Sequence, residues 1–448
     1  MKRRLIYGLV VIVLGVNLVI GARVYLNAAQ AAEKDSAYPS LELFSLVLEK
    51  VRKDYVDGDK LTYKELVRGA LKGMVNTLDP HSEFMEAAEY KELQDDTQGS
   101  FGGLGIHISI RDNFVTVVAP MEDTPGFKAG ILTGDRIVKI DGKSTEKMSL
   151  PEAVKNLRGE PGTEVSLTIQ RPSTGMVKDL KLKRAVINID LVKDINGKKE
   201  FPLGENKIGY IRIVQFGEKT GADLETAIQK LKSQGMQTLV LDLRWNPGGL
   251  LDQAVDVCEK FLPRGKLVVS TEGRSPDQSS VRKARGHGDE VVNKDGTPIP
   301  MVVLVNLGSA SASEIVAGCL QDLKRAIVLG ETTFGKGSVQ SILPLPDGAA
   351  LKLTTAKYYT PSHKVIHKQG ITPDIVVPIT EAEEEAILLQ RVPGAIESLS
   401  EKDRERVKNT RDVQLDRAID LLKGITLYTQ REPGLERPVA KPEKMVAK

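Results

Sequence analysis

Two side chains with the chemistry of acyl transfer stand in short, unusual segments of this 448-residue chain. Ser311 begins the sequence Ser-Ala-Ser-Glu, and Lys336 lies among glycines that follow Phe334. A serine hydroxyl is a weak nucleophile until a base removes its proton, and lysine can be that base when burial lowers its pKa. Gln340 could orient the amine without adding a charge, and Phe334 could shield the amine from water. These residue types indicate a serine nucleophile activated by a lysine.

A third segment, Asp242–Gly249, belongs with these two, because each of the three follows an apolar run that is typical of a buried strand. The carboxyl ends of parallel strands meet at one edge of a sheet, where ligands bind in α/β proteins. Ser311 also precedes a helical pattern, so the N–H groups and dipole at the start of that helix would favour a developing oxyanion. Gly248 and Gly249 would let further N–H groups approach a carbonyl oxygen.

Each segment also has an interpretation without chemistry. Ser311 and Glu314 fit the capping box that opens many helices. Gly248 and Gly249 could be simple turn residues, and a lone lysine such as Lys336 is most often solvated. The occurrence of all three segments together favours the acyl-transfer site.

The glycines around Lys336 invite a nucleotide-binding interpretation as well. Gly330, Gly335 and Lys336 match the start of the phosphate-binding pattern G-x-x-x-x-G-K-[ST]. Gly337 stands where that loop needs a magnesium-binding hydroxyl, and Ser338 comes one position too late. We therefore exclude a phosphate-binding loop.

The elements that must position these segments alternate between strand and helix from residue 207 onward. Helical periodicities separate continuous apolar runs, which predict strands at 208–214, 238–243, 302–305 and 326–329. This alternation predicts an α/β fold with a buried, largely parallel sheet. Residues 266–298 are polar and rich in turn residues, which predicts an exposed excursion, and residues 381–425 show a charged helical pattern.

Two smaller regions precede the α/β region. Residues 100–186 predict a β-rich module with a hairpin over 106–118 and a helix that begins at Ser149. Residues 41–85 predict two amphipathic helices, the second ended by the Asp79-Pro80 step. Such a pair is too small to bury both apolar stripes alone, so it should pack on the body of the protein or on a second chain.

The amino terminus predicts export. Basic residues at 2–4 precede an apolar run over 5–22, which is the pattern of a signal whose positive side stays in the cytoplasm. The run is long enough to cross a bilayer, so we predict an uncleaved anchor over residues 5–26. The Ala-Gln-Ala sequence at 29–31 leaves a cleaved signal as the alternative. Either one places the rest of the chain in an extracytoplasmic compartment, the periplasm or cell envelope.

Composition excludes several classes of protein. Apolar residues make up 41% and charged residues 27% of the chain, so wholesale disorder is excluded. A net charge of +3 argues against a concentrated basic face for nucleic acid. Cys258 and Cys319, which could be paired or free, cannot form a cysteine-rich zinc site, and His363 and His367 lack the glutamate of a zinc-protease motif. We predict neither a metal nor a cofactor.

Five motifs resemble those of the carboxyl-terminal processing peptidases, a family of tail-specific serine/lysine proteases. The resemblance extends over residues 40–380. The motifs are T-L-D-P-H-S-E-F (Thr77–Phe84), the segment Phe101–Ile110, D-L-R-x-N-P-G-G (Asp242–Gly249), S-A-S-A-S-E (Ser309–Glu314) and G-x-x-x-F-G-K-G-x-x-Q (Gly330–Gln340). The resemblance implies a ClpP/crotonase-like protease core with an inserted PDZ-like β-rich domain and helical N- and C-terminal segments.

The resemblance also implies roles for individual residues. The nucleophile of the family matches Ser311, the lysine that follows 25 residues later matches Lys336, and the supporting glutamine matches Gln340. The oxyanion hole would be formed by the N–H of Ala312 and by a glycine of the Gly248-Gly249 turn, for which we prefer the first. The implied activity is that of a serine-type endopeptidase.

The β-rich module resembles a PDZ domain. Gly103, Leu104, Gly105 and Ile106 match the loop that binds a peptide's terminal carboxylate, next to which the peptide adds as a strand. The resemblance implies protein substrates that are bound by their carboxyl termini, and a module that controls access to the dyad. A plain hairpin start is the alternative for this loop.

We therefore predict five regions: a signal or anchor (1–32), an N-terminal helical region (33–97), a PDZ domain (98–186), a serine protease core (187–380) and a C-terminal helical region with a tail (381–448). Terminal helices suggest a homo-oligomer, and a partner protein could activate the enzyme. Two other functions remain open. One is a catalytically inactive PDZ adaptor on a protease-like body, and the other is a Ser-His-Asp hydrolase that uses His363 or His367.

Overall fold

The computed structural model describes Arg23 and residues 37–430, except 112, 122–123, 133, 173, 287–290, 294, 392–395 and 397–398. The predicted anchor and the tail after residue 430 lie outside the described residues. Within the described part, no helix is long and apolar enough to span a bilayer. The chain divides into a unit that ends at Phe84 and a unit that begins at Met85.

The first unit consists mainly of the two predicted helices. Helix α1 (Ala37–Asp54) buries none of its side chains. Helix α2 (Tyr63–Asn76) begins at a reciprocal capping box, in which the Glu65 N–H donates to the Thr62 hydroxyl at 3.1 Å and the Thr62 N–H donates to Glu65 Oε2 at 2.8 Å. A short strand, β1 (Glu83–Met85), lies at the boundary between the units.

The second unit begins with helix α3 (Ala87–Gln98) and the β-rich module. Strand β2 (Ser100–Gly103) pairs with β9 (Ala185–Asn188). The module's antiparallel sheet has the order β3-β4-β5-β7-β8, with β6 beside β5. These strands are β3 (Ile106–Arg111), β4 (Phe114–Pro120), β5 (Arg136–Ile140), β6 (Lys143–Ser144), β7 (Glu164–Arg171) and β8 (Met176–Lys183), and the helices are α4 (Pro125–Lys128) and α5 (Leu150–Leu157). Strand β3 is therefore at an edge of the sheet.

A six-stranded sheet forms the centre of the second unit, in the order β10-β11-β12-β15-β16-β19. All its neighbouring strands are parallel except β10 and β11. The strands are β10 (Val192–Lys193), β11 (Ile208–Ile213), β12 (Thr238–Asp242), β15 (Met301–Val305), β16 (Ile327–Gly330) and β19 (Ile375–Val376). The predicted α/β sheet is thus confirmed, because β11, β12, β15 and β16 correspond to the four apolar runs identified from the sequence.

Helices cover both faces of this sheet. One face packs against α6 (Thr220–Ser233), α7 (Leu251–Glu259) and α8 (Ala312–Asp322), and the other packs against α11 (Val413–Gln430). Successive strand residues point to opposite faces, so Leu241 belongs to the first cluster and Val240 to the second. Helices α9 (Glu381–Arg391) and α10 (Glu401–Asn409) precede α11. The predicted charged helical region is therefore present, and it supplies one wall of the core.

A separate antiparallel sheet corrects the prediction of an exposed excursion at 266–298. Four of its five strands are β13 (Leu267–Gly273), β14 (Ser280–Lys283), β17 (Ser338–Pro344) and β18 (Ala350–Tyr359), and β18 pairs with both β13 and β17. Val268 and Val269 are buried in the main core. The prediction was wrong for β13 because it rested on the polar turn residues around 274–279, which follow a short strand that is buried on one side.

A buried ion network attaches the C-terminal helices to the end of β12. The Arg244 guanidinium, which is fully buried, lies 2.7 Å from Asp242 and 2.7 Å from Asp412. Arg391 contacts the same two carboxylates at 3.0 and 3.1 Å, and the Tyr210 hydroxyl donates to Asp242 at 2.7 Å. Burial by itself would raise the pKa of Asp242, but the Arg244 and Arg391 guanidiniums hold that pKa far below its usual range.

Candidate active site

The three predicted segments meet at the carboxyl edge of the parallel sheet, because they follow the adjacent strands β12, β15 and β16. The Trp245 N–H donates to Asn306 Oδ1 at 2.9 Å, which joins the first segment to the end of β15. The Ser309 hydroxyl donates to the Leu243 carbonyl at 2.8 Å. The backbone carbonyl of Ser309 accepts from the Phe334 N–H at 3.0 Å. The sequence-predicted edge site is therefore one contiguous structure.

Of the three serines in S-A-S-A-S-E, only Ser311 is accessible. Ser309 and Ser313 are fully buried, and Ser313 donates to the Asn246 carbonyl at 2.9 Å. Ser311 is partly exposed. The flanking serines thus hold the loop together, and the middle serine can meet a substrate.

The backbone of Ser311 has a strained conformation at the start of α8. Its φ is 56° and its ψ is −114°, a left-handed φ that non-glycine residues rarely adopt. Strained turns from strand to helix are a known way to expose a serine nucleophile. No described residue accepts a hydrogen bond from the Ala312 N–H, which is the first peptide of the helix. That N–H and the helix dipole can stabilise an oxyanion beside Ser311.

Gly248 lies directly against the serine. A Cβ at this position would be 2.7 Å from Ser311 Cβ and 3.0 Å from Ala312 N, and φ is 102°. Its N–H donates to Asn246 Oδ1 at 2.9 Å, so this donor is engaged. Gly249 instead faces Phe216. The preferred glycine therefore has the right position, and its role in an oxyanion hole stays a prediction.

Lys336 is half-buried in the loop after β16. Burial and the nearby Lys352 lower the pKa of its amine, while the Glu314 carboxylate raises it to a smaller extent. A lowered pKa suits a general base, although Lys336 and Ser311 share no hydrogen bond in the structure. The expectation that Phe334 shields the amine is wrong, because this side chain is 58% exposed.

Gln340 does not contact the lysine amine in this structure. Its Nε2 donates to the Ser338 hydroxyl at 2.9 Å and approaches Thr354 Oγ1 at 3.4 Å. Gln340 lies on β17, which continues directly from the lysine loop. Its predicted support of Lys336 therefore stays a prediction and would need a different rotamer.

Glu314 is the polar residue that connects the serine turn with the lysine loop. Its carboxylate is fully buried, and Oε2 accepts from the Ser311 N–H at 2.8 Å and from the Lys336 N–H at 2.9 Å. Oε1 accepts from the Thr333 hydroxyl at 2.5 Å and from the Gly335 N–H at 2.7 Å. Burial raises the pKa of this carboxyl, and the four hydrogen bonds oppose that rise.

Tyr358 is a second residue that the sequence analysis did not single out. Its side chain is buried, and its hydroxyl has no hydrogen bond of acceptable geometry among the described residues. Burial raises the pKa of the phenol, as does the charge of Glu314, while the approach of the Ser311 hydroxyl lowers it. Tyr358 lies on β18, far from Ser311 in the sequence, so only the folded structure shows that the two residues are neighbours.

The two candidate histidines occupy different places. His363 is exposed, stacks on Tyr359 and lies 2.9 Å from Glu272. The backbone of His367 packs against Gly337, beside Lys336, with Nδ1 buried and without a partner among the described residues. Neither imidazole hydrogen-bonds Ser311.

The loop predicted to bind a carboxylate connects β2 with the edge strand β3. Leu104 and Gly105 are buried, and Gly105 has a φ of 66°. Their carbonyls accept from Gly126 and Met121, both at 2.8 Å, whereas no described residue accepts from their N–H groups. Open N–H donors beside an unpaired strand edge are what a bound peptide terminus requires.

The described side chains do not form a metal site. Among the residues that the structure describes, no group of three or more His, Cys, Asp or Glu side chains could hold an ion. Cys258 and Cys319 are buried free thiols on α7 and α8.

Comparisons with known proteins identify the family of the chain. Residues 207–377 match peptidase family S41, and residues 116–171 match the PDZ domain. The chain is 43% identical over 384 residues to the carboxy-terminal-processing protease of Bartonella bacilliformis, which covers 84% of this chain and 83% of the relative. It is 35% identical to the carboxy-terminal processing protease CtpA of Bacillus subtilis, over 84% of this chain and 78% of the relative.

Among solved structures, a photosystem II D1 C-terminal processing protease is 30% identical, with a TM-score of 0.43, over 79% of this chain and 97% of that one. The two family matches fall within the regions predicted as the protease core (187–380) and the PDZ domain (98–186), and each of the two relatives covers 84% of this chain. The chain therefore belongs to the carboxy-terminal processing proteases of peptidase family S41, and it is a serine protease that carries a PDZ domain.

Proposed function

We propose that Ser311 and Lys336 form the catalytic dyad of this protease. The observation that carries the proposal is that one buried carboxylate binds the backbone N–H groups of both residues. Ser311 is also the accessible serine of its motif, and Lys336 has a pKa lowered by burial. The neutral amine of Lys336 would accept the Ser311 proton as the hydroxyl attacks the scissile carbonyl carbon.

The same residues account for the remaining steps of hydrolysis. The tetrahedral oxyanion is stabilised by the Ala312 N–H at the start of α8, with Gly248 as second donor once its bond to Asn246 is shared or released. The lysine ammonium then protonates the leaving amine, which yields an acyl-serine. Lys336 then deprotonates a water that attacks the ester carbon, and the resulting ammonium returns this proton to the Ser311 oxygen as the ester C–O bond breaks. The acyl product leaves as a carboxylic acid, and the serine hydroxyl and neutral lysine are restored. Gln340 would hold the amine if it turns away from Ser338.

We further propose that the PDZ module recognises substrate carboxyl termini. The open N–H groups of Leu104 and Gly105, between Gly103 and Ile106, support binding of a terminal carboxylate. The free edge of β3 supports addition of the peptide as a strand.

The location and partners are part of the same proposal. The basic and apolar pattern of residues 1–26 supports export to an extracytoplasmic compartment, with residues 5–26 as the membrane anchor. Helix α1 exposes several large apolar side chains, among them Leu41, Phe44 and Val47, which supports self-association through terminal helices. A partner protein that activates the enzyme is compatible with a resting site in which Ser311 and Lys336 are not hydrogen-bonded.

The experiment compares single alanine variants of the full chain on a peptide with a free carboxyl terminus. Ser311→Ala and Lys336→Ala should lose activity by several orders of magnitude while they remain folded. Ser309→Ala and Ser313→Ala should keep activity per folded molecule, because the hydroxyls of these serines bond to neighbouring loops. Ser309 donates to the Leu243 carbonyl and accepts from the Asn306 N–H, and Ser313 donates to the Asn246 carbonyl. Normal turnover by folded Ser311→Ala would overturn the dyad.

Two further arms test the other parts of the proposal. A peptide with an amidated carboxyl terminus should bind more weakly than the free acid, and equal affinity would argue against carboxylate recognition. His363→Ala and His367→Ala should remain active. Loss of turnover in one of them, with Lys336→Ala active, would favour a Ser-His hydrolase instead. A wild-type chain that binds the free acid but never cleaves any peptide would favour the PDZ adaptor.

A further inference from the structure

We propose that Glu314 is a positioning residue, whose carboxylate fixes the serine turn and the lysine loop in the register that proton transfer requires. This inference rests on the proposed Ser311–Lys336 dyad. The reason lies in how the four hydrogen bonds are distributed. Oε2 alone accepts from the backbone of Ser311 and of Lys336, so one atom joins the two catalytic residues.

A helix cap does not need this arrangement. In a capping box, the glutamate at the third helical position binds only the N–H of the residue before the helix, here Ser311. The other three donors belong to residues 333–336, which follow a different strand. The Glu314 side chain therefore extends from the start of α8 to the loop after β16, and it is long enough to bind the donors of both segments.

The four hydrogen bonds also keep the Glu314 carboxylate from binding the Lys336 amine. An ionised carboxylate offers about four acceptor positions, and two donors on each oxygen fill them. None of the four donors is the Lys336 ammonium, although that side chain belongs to the loop that Glu314 binds. A carboxylate that accepted from the ammonium would favour the charged form, which cannot act as a base. Glu314 thus holds the lysine by its backbone and leaves its amine available.

Other groups around the carboxylate cannot replace it. Tyr358 lies nearby, but its hydroxyl reaches no acceptor with good geometry. Thr333 bridges Glu314 and the Ile371 N–H, at 2.5 and 2.7 Å, and so extends the contact to the segment before β19. A backbone bond from the Phe334 N–H to the Ser309 carbonyl also joins the two loops, but Glu314 is the side chain that binds the backbone of Ser311 and of Lys336. Its loss should therefore misplace the reacting groups even where the fold survives.

The experiment uses two substitutions that separate capping from positioning. Glu314→Gln keeps the size of the side chain but turns two acceptor positions into donors, which then face N–H groups. Glu314→Asp keeps the charge and can still cap α8, but it is one methylene too short to span both loops. Ser313→Ala is the matched control, because it removes a buried hydrogen bond from the same helical turn without touching the lysine loop.

We expect kcat per folded molecule to fall on the order of 10²-fold in both Glu314 variants, with KM changed less than about threefold, because misplacement of reacting groups by about 1 Å costs that much. The rate at which a fluorophosphonate labels Ser311 should fall in parallel. Ser313→Ala should show a lowered melting temperature with kcat intact. The proposal is overturned if folded Glu314→Asp keeps kcat within threefold of Ser313→Ala, or if neither Glu314 variant folds. A separate outcome tests the dyad itself, which fails if folded Ser311→Ala or Lys336→Ala stays active.

Discussion

Two fully buried carboxylates lie at the same edge of the central sheet, and they are compensated in opposite ways. Asp242 is surrounded by the guanidiniums of Arg244 and Arg391, which hold its pKa far below the usual range. Glu314 has no cation bound to it and receives three backbone N–H groups and one hydroxyl, and burial raises its pKa.

The difference separates a structural cluster from the proposed catalytic one. The charges around Asp242 are fixed by pairing, and they join the β12 end to Asp412 at the start of α11. At the Ser311 site the Glu314 carboxylate binds N–H and hydroxyl dipoles, and no described carboxylate forms an ion pair with the Lys336 amine. The absence of such a pair suits the proposed role of Lys336 as a base. The D-L-R part of the D-L-R-x-N-P-G-G motif thus serves the fold, and the glycine part serves the site.

Removing a cation from the structural cluster should have the largest effect on stability. Arg244→Met removes the fully buried one of the two guanidiniums that Asp242 and Asp412 share, and we expect a loss of about 3–5 kcal/mol in the free energy of unfolding. Urea denaturation measures this value. The control is Lys91→Met, which breaks an exposed pair with Glu160 and should leave the free energy of unfolding nearly unchanged, because solvent screens this pair. A loss in Arg244→Met as small as that of the control would contradict the structural role.

A methyl group at the catalytic turn should have the next largest effect. In Gly248→Ala the new Cβ would lie 2.7 Å from the Ala310 carbonyl oxygen and 2.7 Å from Ser311 Cβ. We expect overpacking of about 1–3 kcal/mol in addition to backbone strain, together with loss of proteolysis. Gly235→Ala is the control, because Gly235 also has a positive φ, 86°, but has open space around its Cβ position. If Gly248→Ala cleaves as fast as Gly235→Ala, the turn does not abut the nucleophile.

The smallest effect is expected at Tyr358. Its buried hydroxyl has no well-formed hydrogen bond, so Tyr358→Phe removes an unsatisfied group and should change the free energy of unfolding by less than about 1 kcal/mol. Proteolysis per folded molecule should stay within threefold of wild type. A fall in kcat of more than thirtyfold, at unchanged melting temperature, would show that the hydroxyl approaching Ser311 takes part in the reaction.

Much of the site could be predicted because its signals are local. Continuous apolar runs identified the strands β11, β12, β15 and β16. The segments that follow β12, β15 and β16 meet as expected. Accessibility of Ser311 and burial of its neighbours agree with the choice of the middle serine. The pattern of turns and strands also located the β-rich module and the loop that we propose binds a carboxylate.

What could not be predicted depends on contacts between residues that are distant in the chain. Glu314 matched a capping box, and only the folded structure shows that three more donors come from the lysine loop. Tyr358 enters the site through strand pairing of β18, for which the sequence analysis made no prediction. The exposure of Phe334 and the contacts of Gln340 depend on side-chain directions, which the periodicity of the sequence does not specify.

The most direct test of the account is the pH dependence of kcat/KM for Lys336 variants. The folded pKa of Lys336 lies below its ordinary value, so the amine becomes neutral, and the enzyme active, as pH rises through that lowered pKa. We predict that wild-type kcat/KM on a carboxyl-terminal peptide rises with pH through a single ionisation that His363→Ala and His367→Ala do not move. Lys336→Arg should be inactive at every pH, because guanidinium does not deprotonate in proteins. A folded Lys336→Arg variant with near-wild-type turnover, or an ionisation that disappears in His367→Ala, would contradict the Ser311–Lys336 dyad.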